Sequence, residues 1–115
     1  MVGKEIVRRY NAGQRDFGCA SLRYADLTGA ILCEADLTQA DLTGANLSGA
    51  NLTRANLSYT YLIFADLRGA DLTGAILRVT HLSYANLTGA KVTAEQLDQA
   101  RSPHGATMPD GRIYP

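Results

Sequence analysis

From Arg15 to Ala94 the apolar and polar positions recur every five residues. Cut there into fives, the chain gives sixteen units. The third position is Phe17, then leucine fourteen times from Leu22 to Leu87, then Val92. The first position is small, alanine everywhere except Arg15, Thr60 and Thr80. The second is Asp or Asn in ten of the sixteen units. Small, polar, large is the alternation of an extended triplet with its first and third side chains turned inward. The last two positions, rich in Thr, Ser, Arg and Gly, suit a corner. Each unit therefore reads as one short side and one corner.

The departures from the pattern set the number of sides. Thr60 and Thr80 lie 20 apart. Units reading A-[DN]-L-[TSR]-G fall at 25–29, 45–49, 65–69 and 85–89, again 20 apart, with two more at 40–44 and 70–74. Twenty residues make four sides, and sixteen units make four coils, stacked at about 4.8 Å into a rod roughly 19 Å long before its ends. Leucine and alanine layers fill the interior, and neighbouring coils stabilise one another.

The run ADLTQADLTGANLSGANLTRANLS at 35–58 resembles the pentapeptide-repeat family, whose pattern is A-[DN]-L-x-x. About 80 of the 115 residues carry the match. The resemblance implies a right-handed quadrilateral β-helix; spacing alone does not give the hand. The fold is thus read as an all-β solenoid of about four 20-residue coils with short helical ends. The segments RRYNAGQRDF and GATMPDG are similar to flanks of small cyanobacterial members.

A solenoid must cover its raw edges. Residues 1–14 are assigned to an N-terminal capping helix, with Ile6, Val7 and Tyr10 on one face and Gly13 stopping it. Residues 15–94 are the β-helix, and 95–115 a C-terminal capping helix and loop tail. Thr93 and Gln96 form a capping box, and Leu97 and Ala100 would lie on the last coil.

Charge narrows function. Eleven basic residues balance eleven acidic ones, which argues against binding nucleic acid or an anionic membrane. No apolar run is long enough to span a bilayer, and a cytoplasmic protein is expected. The histidines, His81 and His104, are far apart, and nothing has metal-ligand spacing, so no enzyme, metal or cofactor is expected. Six of the eleven acids are position-two aspartates, suited to Asx turns. Cys19 stacks under Gln39, not Cys33, so both thiols are expected free. Thr60 and Thr80 should bond backbone carbonyls. The register also places Glu34 under Arg54 and Asp71 under Lys91.

One side breaks the outward pattern. Its units read ASLRY, ADLTG, TYLIF and THLSY. Tyr24, Tyr61, Ile63, Phe64, His81 and Tyr84 replace polar or glycine positions, and Tyr59 and Val79 extend the patch across the preceding corner. Exposed apolar surface with aromatic anchors suits a protein partner. The same rings could instead form a structural ladder or lie under the tail. The leading reading is a non-catalytic scaffold binding a protein, itself a monomer or weak homodimer. The alternative, a DNA-mimic modulator of a type II topoisomerase as in quinolone-resistance members, needs an acidic stripe. Ice binding needs a flat threonine array, and Thr53, Thr73 and Thr93 form only one column.

Overall fold

A computed structural model of the protein describes residues 2–115. The chain returns onto itself every 20 residues and pairs in parallel each time: Asp16 with Asp36, Ser21 with Asp41, Asp26 with Asn46, Ile31 with Asn51, and so on up the rod. Four paired positions and four turns complete each coil. We number the coils 15–34, 35–54, 55–74 and 75–94. The molecule measures 40 × 21 × 20 Å.

Why five residues make one side follows from their N–H groups, each of which must find an acceptor. In the unit 45–49, Ala45 N–H closes the preceding turn on Leu42 O, 3.0 Å. Asn46 N–H reaches back to Ala25 O in the coil below, 2.9 Å. Leu47 and Gly49 N–H reach forward to Asp66 O and Arg68 O in the coil above, 2.7 and 2.9 Å. That leaves Ser48 N–H, which the Asn46 side-chain oxygen accepts at 3.0 Å. All five donors are placed, the fifth by the Asp or Asn at position two. At Ile31, Tyr61, Ile76 and His81 no such side-chain bond forms among the described residues.

The leucines and position-one alanines fill the interior, most with no exposed surface. Thr60 and Thr80 are buried there too, and their hydroxyls donate to the carbonyls of Leu37 and Leu57 at 2.8 and 2.7 Å. Cys19 Sγ meets Gln39 Oε1 at 3.6 Å, and both cysteines are free. Glu34 and Arg54 pair at 3.3 Å, exposed and worth little. Asp71 bridges to Lys91 through backbone, and the lysine acts on it only as a nearby charge.

Helix α1, Gly3–Asn11, closes the lower end. Ile6 is buried in the core, Val7 and Tyr10 pack against it, and the Tyr10 hydroxyl donates to Cys33 O at 2.8 Å. Arg8 and Arg9 both pair with Glu5, which holds that carboxyl below its usual range. Helix α2, Ala94–Gln99, starts with the capping box of Thr93 and Gln96. It ends at Gln99 because Ala100 is extended. Leu97 and Ala100 are half-buried on the core.

The tail does more than loop. Arg101 pairs with His81 and Thr107 with Asn86, so residues 100–110 add two sides of a fifth coil. Gln96 Nε2 and the N–H groups of Arg101 and Thr107 cover the upward carbonyls of Ala75, Thr80 and Ala85 at 2.8–2.9 Å. Ile113 then folds back antiparallel on Thr107.

The position-two aspartates carry a testable pH signature. Bonds from the Thr28 hydroxyl and N–H hold Asp26 below the usual carboxylate range, and Thr73 does the same for Asp71. Depressed carboxyl groups stabilise the fold fully above about pH 4–5, and that share is lost as pH falls through their lower folded values. Asn supplies the same acceptor oxygen without titrating, as Asn46 and Asn86 already do. The double variant Asp26→Asn, Asp71→Asn should therefore lose less stability than the parent between pH 5 and pH 2, measured by urea unfolding at each pH. An unchanged pH profile would count against this role.

Candidate functional site

Each coil corner turns through a residue with left-handed backbone. Every fifth residue from Cys19 to Gly89 has φ between 54° and 71°. This is the third position of a type II turn, where glycine is favoured. On most corners the occupant is glycine or a small or flexible residue. The two corners flanking the side built on Leu22, Leu42, Leu62 and Leu82 are different. They hold Tyr24, Tyr59, Phe64, Val79 and Tyr84, with φ of 58°, 58°, 60°, 54° and 60°. Val79 is the most costly of these, because a β-branched side chain crowds this conformation.

Stacking of the coils brings these side chains into columns. Tyr61 and His81 lie face to face, ring centres 4.7 Å apart and planes 7° from parallel. Phe64 and Tyr84 stack at 5.0 Å and 9°. His104 meets the Tyr84 ring edge-on at 5.5 Å, and Ser83 Oγ donates to Ser102 O at 2.8 Å. The tail thus covers the upper end of the aromatic side. It leaves the rest open: Phe64 is 63% exposed, Tyr84 49% and Tyr61 43%. Ile63, Val79 and His81 are half-buried, and Tyr59 is exposed at the neighbouring corner.

The structure brings together Tyr59, Tyr61, Ile63, Phe64, Val79, His81 and Tyr84. Tyr24 stands apart. Its ring lies over Gly44, where a Cβ would meet it, and it is 72% exposed with Arg23 5.8 Å from its centre. No ring contact joins it to Phe64 among the described residues. Two neighbours were not singled out by sequence reasoning, His104 and Arg101. The signal was present for Arg101, which follows His81 by 20 residues, but A-R-S-P-H lacks the central leucine and an extra residue moves His104 off the beat.

The acidic positions are dispersed. Asp16 and Asp36 adjoin in one position-two column, Asn46 separates Asp26 from Asp66 in a second, and the other two columns hold one carboxylate each, Asp41 and Asp71. A groove of about 520 Å³ lies between α1 and the first coil, away from the aromatic side. Among the described residues no group of His, Cys, Asp and Glu could hold a metal ion. No helix among the described residues is long and apolar enough to cross a membrane.

The pattern described by these coils matches the Pentapeptide repeats family, in eight copies over residues 20–58 and 60–93. The chain belongs to the pentapeptide-repeat family. A search of the curated proteins finds no match. Among solved structures, the pentapeptide repeat protein alr5209 of Nostoc PCC 7120 is 36% identical. The likeness covers 93% of this chain and 75% of that one, with a TM-score of 0.65. HetL of the same cyanobacterium, a pentapeptide repeat protein involved in heterocyst differentiation regulation, is 31% identical over 86% of this chain and 68% of its own, TM-score 0.41. QnrB1, a plasmid-mediated fluoroquinolone resistance protein, is 16% identical over 81% and 62%, TM-score 0.44.

Proposed function

We propose that this pentapeptide-repeat protein is a non-catalytic interaction scaffold whose aromatic side binds a protein partner. One observation carries the reading. Bulky residues occupy left-handed corners on both edges of a single side, where glycine would be easier to accommodate. A non-glycine residue in such a conformation costs on the order of 1–2 kcal/mol. Stacking of an aromatic pair returns about 0.5–1.5 kcal/mol, which offsets part of this cost for Phe64 and Tyr84. It does nothing for Val79, and the rings remain largely exposed. Aromatic anchors on an open face favour binding over support alone.

In this reading the chain forms a right-handed quadrilateral β-helix at 15–94, with 1–14 and 95–115 closing its ends. The two free thiols suit a reducing compartment, the cytoplasm. The dispersed carboxylates and zero net charge favour a protein partner through aromatic contact over imitation of DNA.

The test is affinity capture from the source organism with the parent and the variant Tyr61→Asp, Phe64→Gly, Tyr84→Gly, which restores repeat residues at three outward positions. A protein held by the parent and lost by a folded variant supports the reading. An unchanged captured set with a lowered melting temperature would make the rings a structural ladder and overturn it.

A further inference from the structure

The outward column at the centre of the aromatic side runs Asp41, Tyr61, His81, Arg101, each bridged to the next through backbone. Read upward it is acid, aromatic, aromatic, base. Such a column is complementary to its own reverse. The adjoining corner column is compatible with this: Gly44, then the stacked Phe64 and Tyr84, then Gly105, so it too is matched by its own reverse.

We propose that the partner of this face is a second copy of the same chain, packed antiparallel about a twofold axis. This rests on reading the aromatic side as a binding surface. The axis lies along the face, across the rod, between the third and fourth coils. Such a rotation keeps each column opposite itself and reverses the order of the coils. Coil two then faces coil five, and coil three faces coil four. Asp41 of each copy meets Arg101 of the other, twice by symmetry, as a closed twofold interface requires. Between these pairs Tyr61 faces His81 and Phe64 faces Tyr84.

The charges available fit this arrangement. Arg101 is exposed and forms no ion pair within its own chain among the described residues. Asp41 accepts from Thr43 N–H at 3.1 Å, and its one ion-pair contact among the described residues is loose, with Arg23 at 3.9 Å. A parallel pairing of the same faces would set the column against the one carrying Thr43 and Ile63, with no opposite charge for Asp41 or Arg101. The antiparallel arrangement is therefore the one electrostatics selects.

Size sets the strength. The rod is about 20 Å wide, and four coils span about 19 Å. That gives a face of roughly 400 Å² per copy, about half of what a standard stable interface buries. The dimer is accordingly weak and reversible, forming at high micromolar concentration or above.

Sedimentation equilibrium from about 10 µM to 1 mM tests this, with melting temperatures checking each variant's fold. The parent should dimerise reversibly. Arg101→Asp alone and Asp41→Arg alone each set two like-charge pairs across the interface and should weaken self-association at least about tenfold. Mixed together, the two variants restore both opposite-charge pairs, and a heterodimer close to parental strength should appear. Should Asp41→Arg fail to fold for want of its bond to Thr43 N–H, Arg101→Asp carries the test alone, because its side chain makes no bond within its own chain among the described residues. A parent that stays monomeric at 1 mM overturns the proposal, and so does a dimer indifferent to Arg101→Asp. Either result leaves capture of a different protein by the aromatic side standing as a separate outcome.

Discussion

Leu52→Ala should lower the unfolding free energy by about 2–5 kcal/mol, with the result near the upper end of that range. Leu52 has no exposed surface and stacks between Leu32 and Leu72, with alanine as the other inward residue of each side. The cost of a deletion depends on how far the surroundings collapse into the space. Here they cannot collapse far. Leu52 N–H is tied to Asp71 O at 2.8 Å and Leu52 O accepts from Ala55 N–H at 3.0 Å, so the backbone on each side of the void is held. Neighbouring alanines are too short to fill it. Urea unfolding followed by circular dichroism reads the effect as a shifted midpoint with an unchanged slope. A loss under about 1 kcal/mol would show that the leucine stack is loosely packed, against the structure described.

The second large effect is expected at the lower end of the rod. Gly3 begins α1 and presses its Cα against the backbone of Asp26, where a methyl group would overlap the Asp26 carbonyl oxygen. The obstacle is backbone that is itself bonded into the coil, since Asp26 is bridged to Asn46. It cannot swing aside as a side chain could. Gly3→Ala should cost about 1–3 kcal/mol despite alanine's better helix propensity. Part of that cost is displacement of α1, which exposes Ile6, Phe17 and the unpaired lower edge of the first coil. Faster hydrogen exchange confined to α1 and residues 15–34, together with concentration-dependent association, is the expected signature. Equal exchange in parent and variant would mean the helix accommodates the methyl group.

The coil was readable in the sequence because it is written many times over. One leucine every five residues could be coincidence; fourteen in register, with threonine substitutions 20 apart, point to four sides per coil, though not to the hand. The position-two aspartates were readable in kind, as turn residues, but their particular duty was not. Only the placed backbone shows that one N–H per unit has no other acceptor. The ends were harder. Helix α2 was recognisable from Thr93 and Gln96, but the pairing of Arg101 and Thr107 was not. Residues 100–110 lack leucine, and one extra residue between Arg101 and Pro103, at the left-handed Ser102, shifts Thr107 off the 20-residue beat. The aromatic side was visible as broken grammar. The sequence pattern does not show which rings touch: Tyr24 belongs to the same column as Phe64, and Gly44 between them lets the Tyr24 ring lean up against the second coil's backbone and stay separate.

The uniform 20-residue return has a kinetic consequence. Almost every backbone bond between coils reaches back or forward by 19 to 21 residues, so no closing step needs a long chain search. As a fraction of length this separation is roughly 0.17, the value of mixed folds and not of the slowest β-sandwiches. The loop-closure cost is also paid in equal small instalments, one coil at a time. A chain emerging from the ribosome could therefore complete the first coil on α1, and each finished coil would serve as the template for the next before the C-terminal residues exist.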